Sequence, residues 1–196
     1  MPTTGLRNVD ETFGGAREGE LTVVLASADH SPFPILARIA SNAAGPTIVF
    51  TDTPDRWRTV APDSGEIRVV ELAGRDLDAL LGALKTAQAS DNIRCAIIDD
   101  LRAVRAMRYQ REDCPRRRAF QELPPALGLA LVVGWTSPRE GEAPRYSDLR
   151  ATVADEPDLL IFAWKDRAAP HTYRVAAHRQ DGTGVTFEDV VPAGTV

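Results

Sequence analysis

The sequence predicts an α/β fold: a mostly parallel sheet flanked by helices, with a C-terminal β-hairpin at one edge. Two observations predict it. Short apolar runs rich in β-branched residues alternate with longer stretches of helical pattern along most of the chain, and such alternation marks a parallel sheet covered by helices. The last two runs, 171–178 and 184–191, are divided only by a short turn at Asp181-Gly182, as in a hairpin. The size agrees with this class. A chain of 196 residues, 43% hydrophobic and 26% charged, can build one domain with a full core, and a single domain over 1–196 is expected.

The elements follow in order. Gly14-Gly15 ends a first short helix, because glycine accepts the left-handed cap conformation. Strands are expected at 21–26, 47–51, 67–71, 93–99, 129–134 and 158–164, before the two hairpin strands. Helices are expected at 33–44, 76–89, 101–110, 116–127 and 148–154. Residues 139–144, REGEAP, form a polar loop. No apolar run approaches the length of a membrane span, and the N-terminus MPTTGLRN has no basic-then-apolar leader, so a cytoplasmic protein is expected. Cys95 in a buried strand and Cys114 in a charged loop give neither a disulfide framework nor a metal spacing. Trp57, Trp135 and Trp164 read as core or rim aromatics.

The turn at 27–34, SADHSPFP, lies between an apolar strand and a helix. Strand, glycine-rich turn, helix is the frame of a nucleotide-triphosphate site. That chemistry needs glycines so the backbone can wrap phosphates, a Lys for the terminal phosphates, and a Ser or Thr for magnesium. This turn has no glycine and no lysine. It has two prolines without an N–H, and Asp29, which repels phosphate.

Four stretches carry a resemblance to a known family. Residues 4–20, TGLRNVDETFGGAREGE, resemble the entry to the RecA-like motor domain of DnaB-type replicative helicases, an entry shared with RadA- and KaiC-type ATPases. Ile97-Ile98-Asp99-Asp100-Leu101 resembles the Walker B strand, an apolar run ending in an acid. Tyr146-Ser147-Asp148-Leu149-Arg150, then Asp158, the apolar run 159–164 and Lys165-Asp166, resemble a more family-specific helicase pattern. Residues 178–184, HRQDGTG, resemble the family's basic turn.

The resemblance implies a RecA-like fold over nearly the whole chain and locates the family's catalytic positions. At those positions this chain departs from the pattern. The Walker lysine falls at Pro32 and the magnesium hydroxyl at Phe33. The catalytic glutamate falls at Thr53, the sensor glutamine at Thr136, and the inter-subunit arginine at Gln180, with Arg179 one residue early. Only Asp99 remains, as the Walker B carboxylate. Phosphoryl transfer rests on positioning and electrostatic stabilisation. A degenerate phosphate loop and a pseudoenzyme without ATPase or helicase activity, cofactor or metal are therefore expected. The resemblance further implies an interaction or regulatory module in DNA replication or repair. Its expected partner is a replicative helicase or another RecA-like subunit. The family's N-terminal helical domain and linker helix are not in the sequence, so a monomer or small oligomer is expected rather than a hexamer. The rival readings are a divergent ATP-binding domain that grips phosphate with arginines, and a nucleic-acid-binding module.

The net charge of −5 does not announce a nucleic-acid binder. Its distribution is uneven: residues 102–118 hold Arg102, Arg105, Arg108, Arg111, Arg116, Arg117 and Arg118 against only Glu112 and Asp113. The first four recur every three residues, close to one helical stripe, and Tyr109 offers a stacking face. Two readings stand, a solvated face or a surface for nucleic acid or a partner.

Overall fold

The computed structural model describes residues 4–28, 30–60, 66–72, 74, 76–104, 115–137, 144, 157–166, 169–179 and 184–192, the side chains of 115–120, 165–166, 169–172 and 184–192 excepted. Among the described residues, eight strands form one sheet: β1 (Leu21–Ala26), β2 (Thr47–Thr51), β3 (Ile67–Glu71), β4 (Cys95–Ile98), β5 (Ala130–Thr136), β6 (Leu159–Asp166), β7 (Ala169–Arg179) and β8 (Gly184–Pro192), in spatial order β3-β2-β4-β5-β1-β6-β7-β8. Strands β3 to β6 in that order are parallel. β7 runs antiparallel to both β6 and β8, which makes the expected hairpin at one edge. The helices are α1 (Arg7–Phe13), α2 (Phe33–Asn42), α3 (Pro54–Val60), α4 (Leu77–Asp91) and α5 (Pro115–Leu127).

β1 is central and every residue in it is buried. Its side chains alternate between two cores, as the pleat requires. Leu21, Val23 and Leu25 join the core under α4, with Leu77, Leu80 and Leu84. Val24 joins the other core with Val9, Phe13, Phe33, Ile39 and Trp57 of α1, α2 and α3. The sheet is therefore the middle layer of three. Cys95 lies fully buried in β4, and burial pushes its thiol up to about 12, so it stays protonated and unreactive.

Two parts differ from expectation. The helix expected over 101–110 is a single 3-10 turn, Leu101–Ala103, in its described part, closed by the Asp100 side chain accepting from the Arg102 N–H at 2.9 Å. α3 has no counterpart among the expected elements. Its seven residues, PDRWRTV, are too few to show helical periodicity. Its signal is the Pro after Thr53, which suits a first helical position, followed by an acid in the first turn. The region expected as a helix at 148–154 lies outside the described residues.

Candidate functional site

In an open parallel sheet, ligands approach the carboxyl ends of the strands. Here those ends bring together Ser27 after β1, Thr51 at the end of β2, Asp99 after β4, and Thr136-Ser137 at the end of β5. All five are buried. The pairing of β2 with β4 sets Phe50 beside Ile98, and the Asp99 N–H donates to the Phe50 carbonyl at 2.9 Å. Thr51 and Asp99 are thus held side by side. The Thr51 hydroxyl donates to Asp99 Oδ2 at 2.8 Å.

The second donor to that same oxygen comes from α3. The Trp57 indole Nε1–H reaches Asp99 Oδ2 at 2.9 Å. Trp57 is fully buried and meets the fully buried Phe33 edge-to-face, ring centres 5.0 Å apart, a favoured aromatic geometry. Over Phe33 lies the Arg56 guanidinium, its carbon 3.6 Å from the ring centre. Phe33, Trp57 and Arg56 therefore form a stacked column from the core to the surface, with Asp99 bonded at its base.

Burial is the largest influence on Asp99 and raises its pKa above the ordinary carboxylate value. The hydrogen bonds from Trp57 and Thr51 and the Arg56 charge oppose that rise without cancelling it. Gly134 of β5 is required by the same close packing. A Cβ there would sit 2.0 Å from the Asp99 carbonyl oxygen and 2.8 Å from Leu36.

The turn leading into α2 folds onto its own backbone at several points. The His30 N–H donates to the Ser27 carbonyl at 2.9 Å. Pro32 and Pro34 have no N–H. The Phe33 N–H donates to Ser31 Oγ at 3.2 Å, and those of Ile35 and Leu36 both donate to the Pro32 carbonyl at 3.1 Å. The open N–H groups that make helix N-termini attractive to anions are each absent or engaged in the first turn of α2.

The other sequence-predicted positions separate into three groups. Thr53 is at the site but turned inward on itself: its N–H and hydroxyl both meet Thr51 Oγ1, at 3.0 and 3.2 Å. Thr136 is buried at the end of β5, in register with Ala26. Arg179 and Arg102 are each engaged by a carboxylate. Arg179 forms a two-pronged ion pair with Glu20, both contacts 2.9 Å, at the amino end of β1 and away from Asp99. Arg102 grips Asp100 at 2.6 Å. Arg105, Arg108, Arg111, Gln180 and Asp29 lie outside the described residues, as do the side chains of Arg116, Arg117 and Arg118. No group of three or more His, Cys, Asp or Glu converges among the described residues, and no helix among them is long and apolar enough to cross a membrane.

Arg56 and Trp57 are the residues that sequence reasoning missed at this site. Trp57 lies in the core, as its residue type suggests; its bond to Asp99 depends on α3 packing against β3 and α2.

These elements define a RecA-like fold. No protein-family model matches the chain, and no curated protein matches it. Solved structures do. A KaiC-like protein from the hyperthermophilic archaeon Pyrococcus horikoshii superposes with a TM-score of 0.65 at 15% identity, over 97% of each chain. A DnaB-like replicative helicase, described with its interactions with primase, gives 0.70 at 14% identity over 94% of this chain and 59% of that one. A third solved structure, that of an ATPase domain, gives 0.71 at 13% identity, over 94% of this chain and 86% of that one. At such identities the likeness is one of fold.

Proposed function

We propose that this chain is a non-catalytic relative of the DnaB-type replicative helicase motor domain, acting as an interaction or regulatory module in DNA replication or repair. The observation that carries the reading is the closed column at the carboxyl end of the sheet. Where the resembled ATPases need a hydroxyl for magnesium, Phe33 is fully buried against Trp57. Where the Walker B carboxylate must face a metal's water shell, Asp99 Oδ2 already accepts two internal hydrogen bonds. The Thr51–Asp99 pair has the form of a nucleophile beside a base, but Thr51 is fully buried and out of reach of substrate. The first turn of α2 offers no N–H to a phosphate. Each charge-assisted phosphate contact forgone removes about 1.5–3 kcal/mol, so several together leave no useful nucleotide affinity.

The partner under this reading is a replicative helicase or another RecA-like subunit, met by a monomer or small oligomer in the cytoplasm. The ion pairs of Arg179 with Glu20 and Arg102 with Asp100 support the non-catalytic reading, since both cations are engaged by carboxylates of this chain. Calorimetric titration with ATP and magnesium tests the proposal. No heat of saturable binding is expected, and a dissociation constant in the low micromolar range would overturn it. The double variant Pro32→Lys, Phe33→Thr should remain without ATPase activity, because Thr53 and Thr136 still lack the water-orienting and sensor groups.

A further inference from the structure

We propose that Arg56 anchors a protein-docking surface that receives a carboxylate side chain from an acidic segment of a partner. This rests on the reading of the domain as an interaction module and names the surface it would use. Arg56 is exposed, yet its guanidinium is not free to wander. It lies on the Phe33 ring at 3.6 Å, and its Nη1–H donates to Ser31 Oγ at 3.4 Å. Other arginines of this acidic chain hold acids: Arg58 with Asp55, Arg68 with Asp91, Arg94 with Glu18, Arg102 with Asp100 and Arg179 with Glu20. Among the described residues, no carboxylate lies within ion-pair distance of Arg56. A cation that is already oriented loses little side-chain entropy on binding, and Arg is enriched among the residues that dominate interfaces.

The surroundings select the class of anion. A planar carboxylate is satisfied by one guanidinium fork and one hydroxyl, which are the groups present in Arg56 and Ser31. A phosphate needs several more donors. The N–H groups of the α2 first turn are absent or engaged. The floor beneath Arg56 is the buried Phe33–Trp57 pair, and two further rings lie beside it, His30 edge-to-face on Tyr173 at 6.0 Å. An ion pair covered by a partner at this spot is shielded from water on its inner side, so it is worth more than an exposed surface pair.

The test follows the Arg56 side-chain Nε–H resonance and, so that the Arg56 variants can be read as well, the backbone N–H resonances of Ser31 and Phe33 of the full chain by NMR at low ionic strength. The probes are a hexaglutamate peptide and, in parallel, a hexathymidylate oligonucleotide. Hexaglutamate should shift the Arg56 resonance saturably. Arg56→Lys, which keeps the charge but loses the fork, should bind about tenfold more weakly, as expected for one charge-assisted hydrogen bond. Arg56→Gln should abolish the effect while Trp57 fluorescence shows the fold intact. No shift at Arg56, undiminished binding by Arg56→Gln, or tighter binding of the oligonucleotide would each overturn the proposal. The calorimetric ATP titration is separate. ATP binding would sink the non-catalytic reading, whereas absence of ATP binding together with a silent Arg56 sinks the docking surface alone.

Discussion

The entry segment and the turn before α2 both fall within the helicase resemblance, and they are built on different physics. In the entry, the motif residues hold the backbone. Asp10 accepts from the Thr4 N–H and hydroxyl at 2.7 Å and from the Gly5 N–H at 3.0 Å. Gly14 caps α1 with φ 72°, which favours glycine. Asp158 acts in the same way at the sheet, accepting from the Leu21 N–H at 2.7 Å. At the turn, the side chains serve packing instead: Phe33 is fully buried against Trp57. The difference teaches that a motif residue with a duty to its own backbone has a structural reason to stay whatever the domain does. A residue whose only duty is to a ligand has no such internal reason.

The largest effect should come from breaking the aromatic column. Trp57→Ala removes a fully buried ring and an N–H to Asp99, and about 3–5 kcal/mol of stability should be lost. Phe33→Ala should fall in the same range. Asp10→Ala, which breaks the entry's hydrogen bonds near the surface, should cost less, about 1.5–3 kcal/mol. Urea unfolding of the three variants measures the ranking. If Asp10→Ala is the most damaging, the column is not the chief support of this end of the sheet.

Gly134→Ala sharpens the comparison next. The new methyl meets the Asp99 carbonyl, which is backbone and cannot rotate away. Overpacking of this kind costs about 1–3 kcal/mol. It should also displace Asp99, visible as a change in Trp57 fluorescence. An unshifted emission spectrum with wild-type stability would mean that β4 and β5 are not held this tightly.

The smallest effect concerns Asp99 itself and separates a structural carboxylate from a metal-binding one. Its folded pKa is raised, chiefly by burial. The native state therefore binds the Asp99 proton more tightly than the unfolded chain does. The associated stability is present at pH below the unfolded value of about 3.9 and is lost as pH rises through the folded pKa. Asp99→Asn keeps an acceptor for Trp57 and Thr51 and removes the buried charge. It should be slightly more stable than wild type at pH 7, with the advantage vanishing near pH 4. Denaturant midpoints at the two pH values decide it. A clear loss of stability at pH 7 would show that the Asp99 charge is needed.

The sequence alone determined the α/β class, the sheet with its edge hairpin, and the buried β4 that carries Cys95. The reason is that hydrophobic periodicity and turn chemistry are local properties, written within a few residues of where they act. The missing glycines and lysine of the turn were equally legible, because they are matters of composition. What only the tertiary structure decided is what fills the space. α3 is too short to announce itself, and Trp57 reaches Asp99 across 42 positions of sequence. Gly134 gave no local sign that it makes room for the Asp99 carbonyl. Arg102 and Arg179 looked like free cations until their acids were placed beside them. Side-chain partnership depends on which strands neighbour one another, and that order, β2 beside β4 and β5 beside β1, is settled only when the whole sheet assembles.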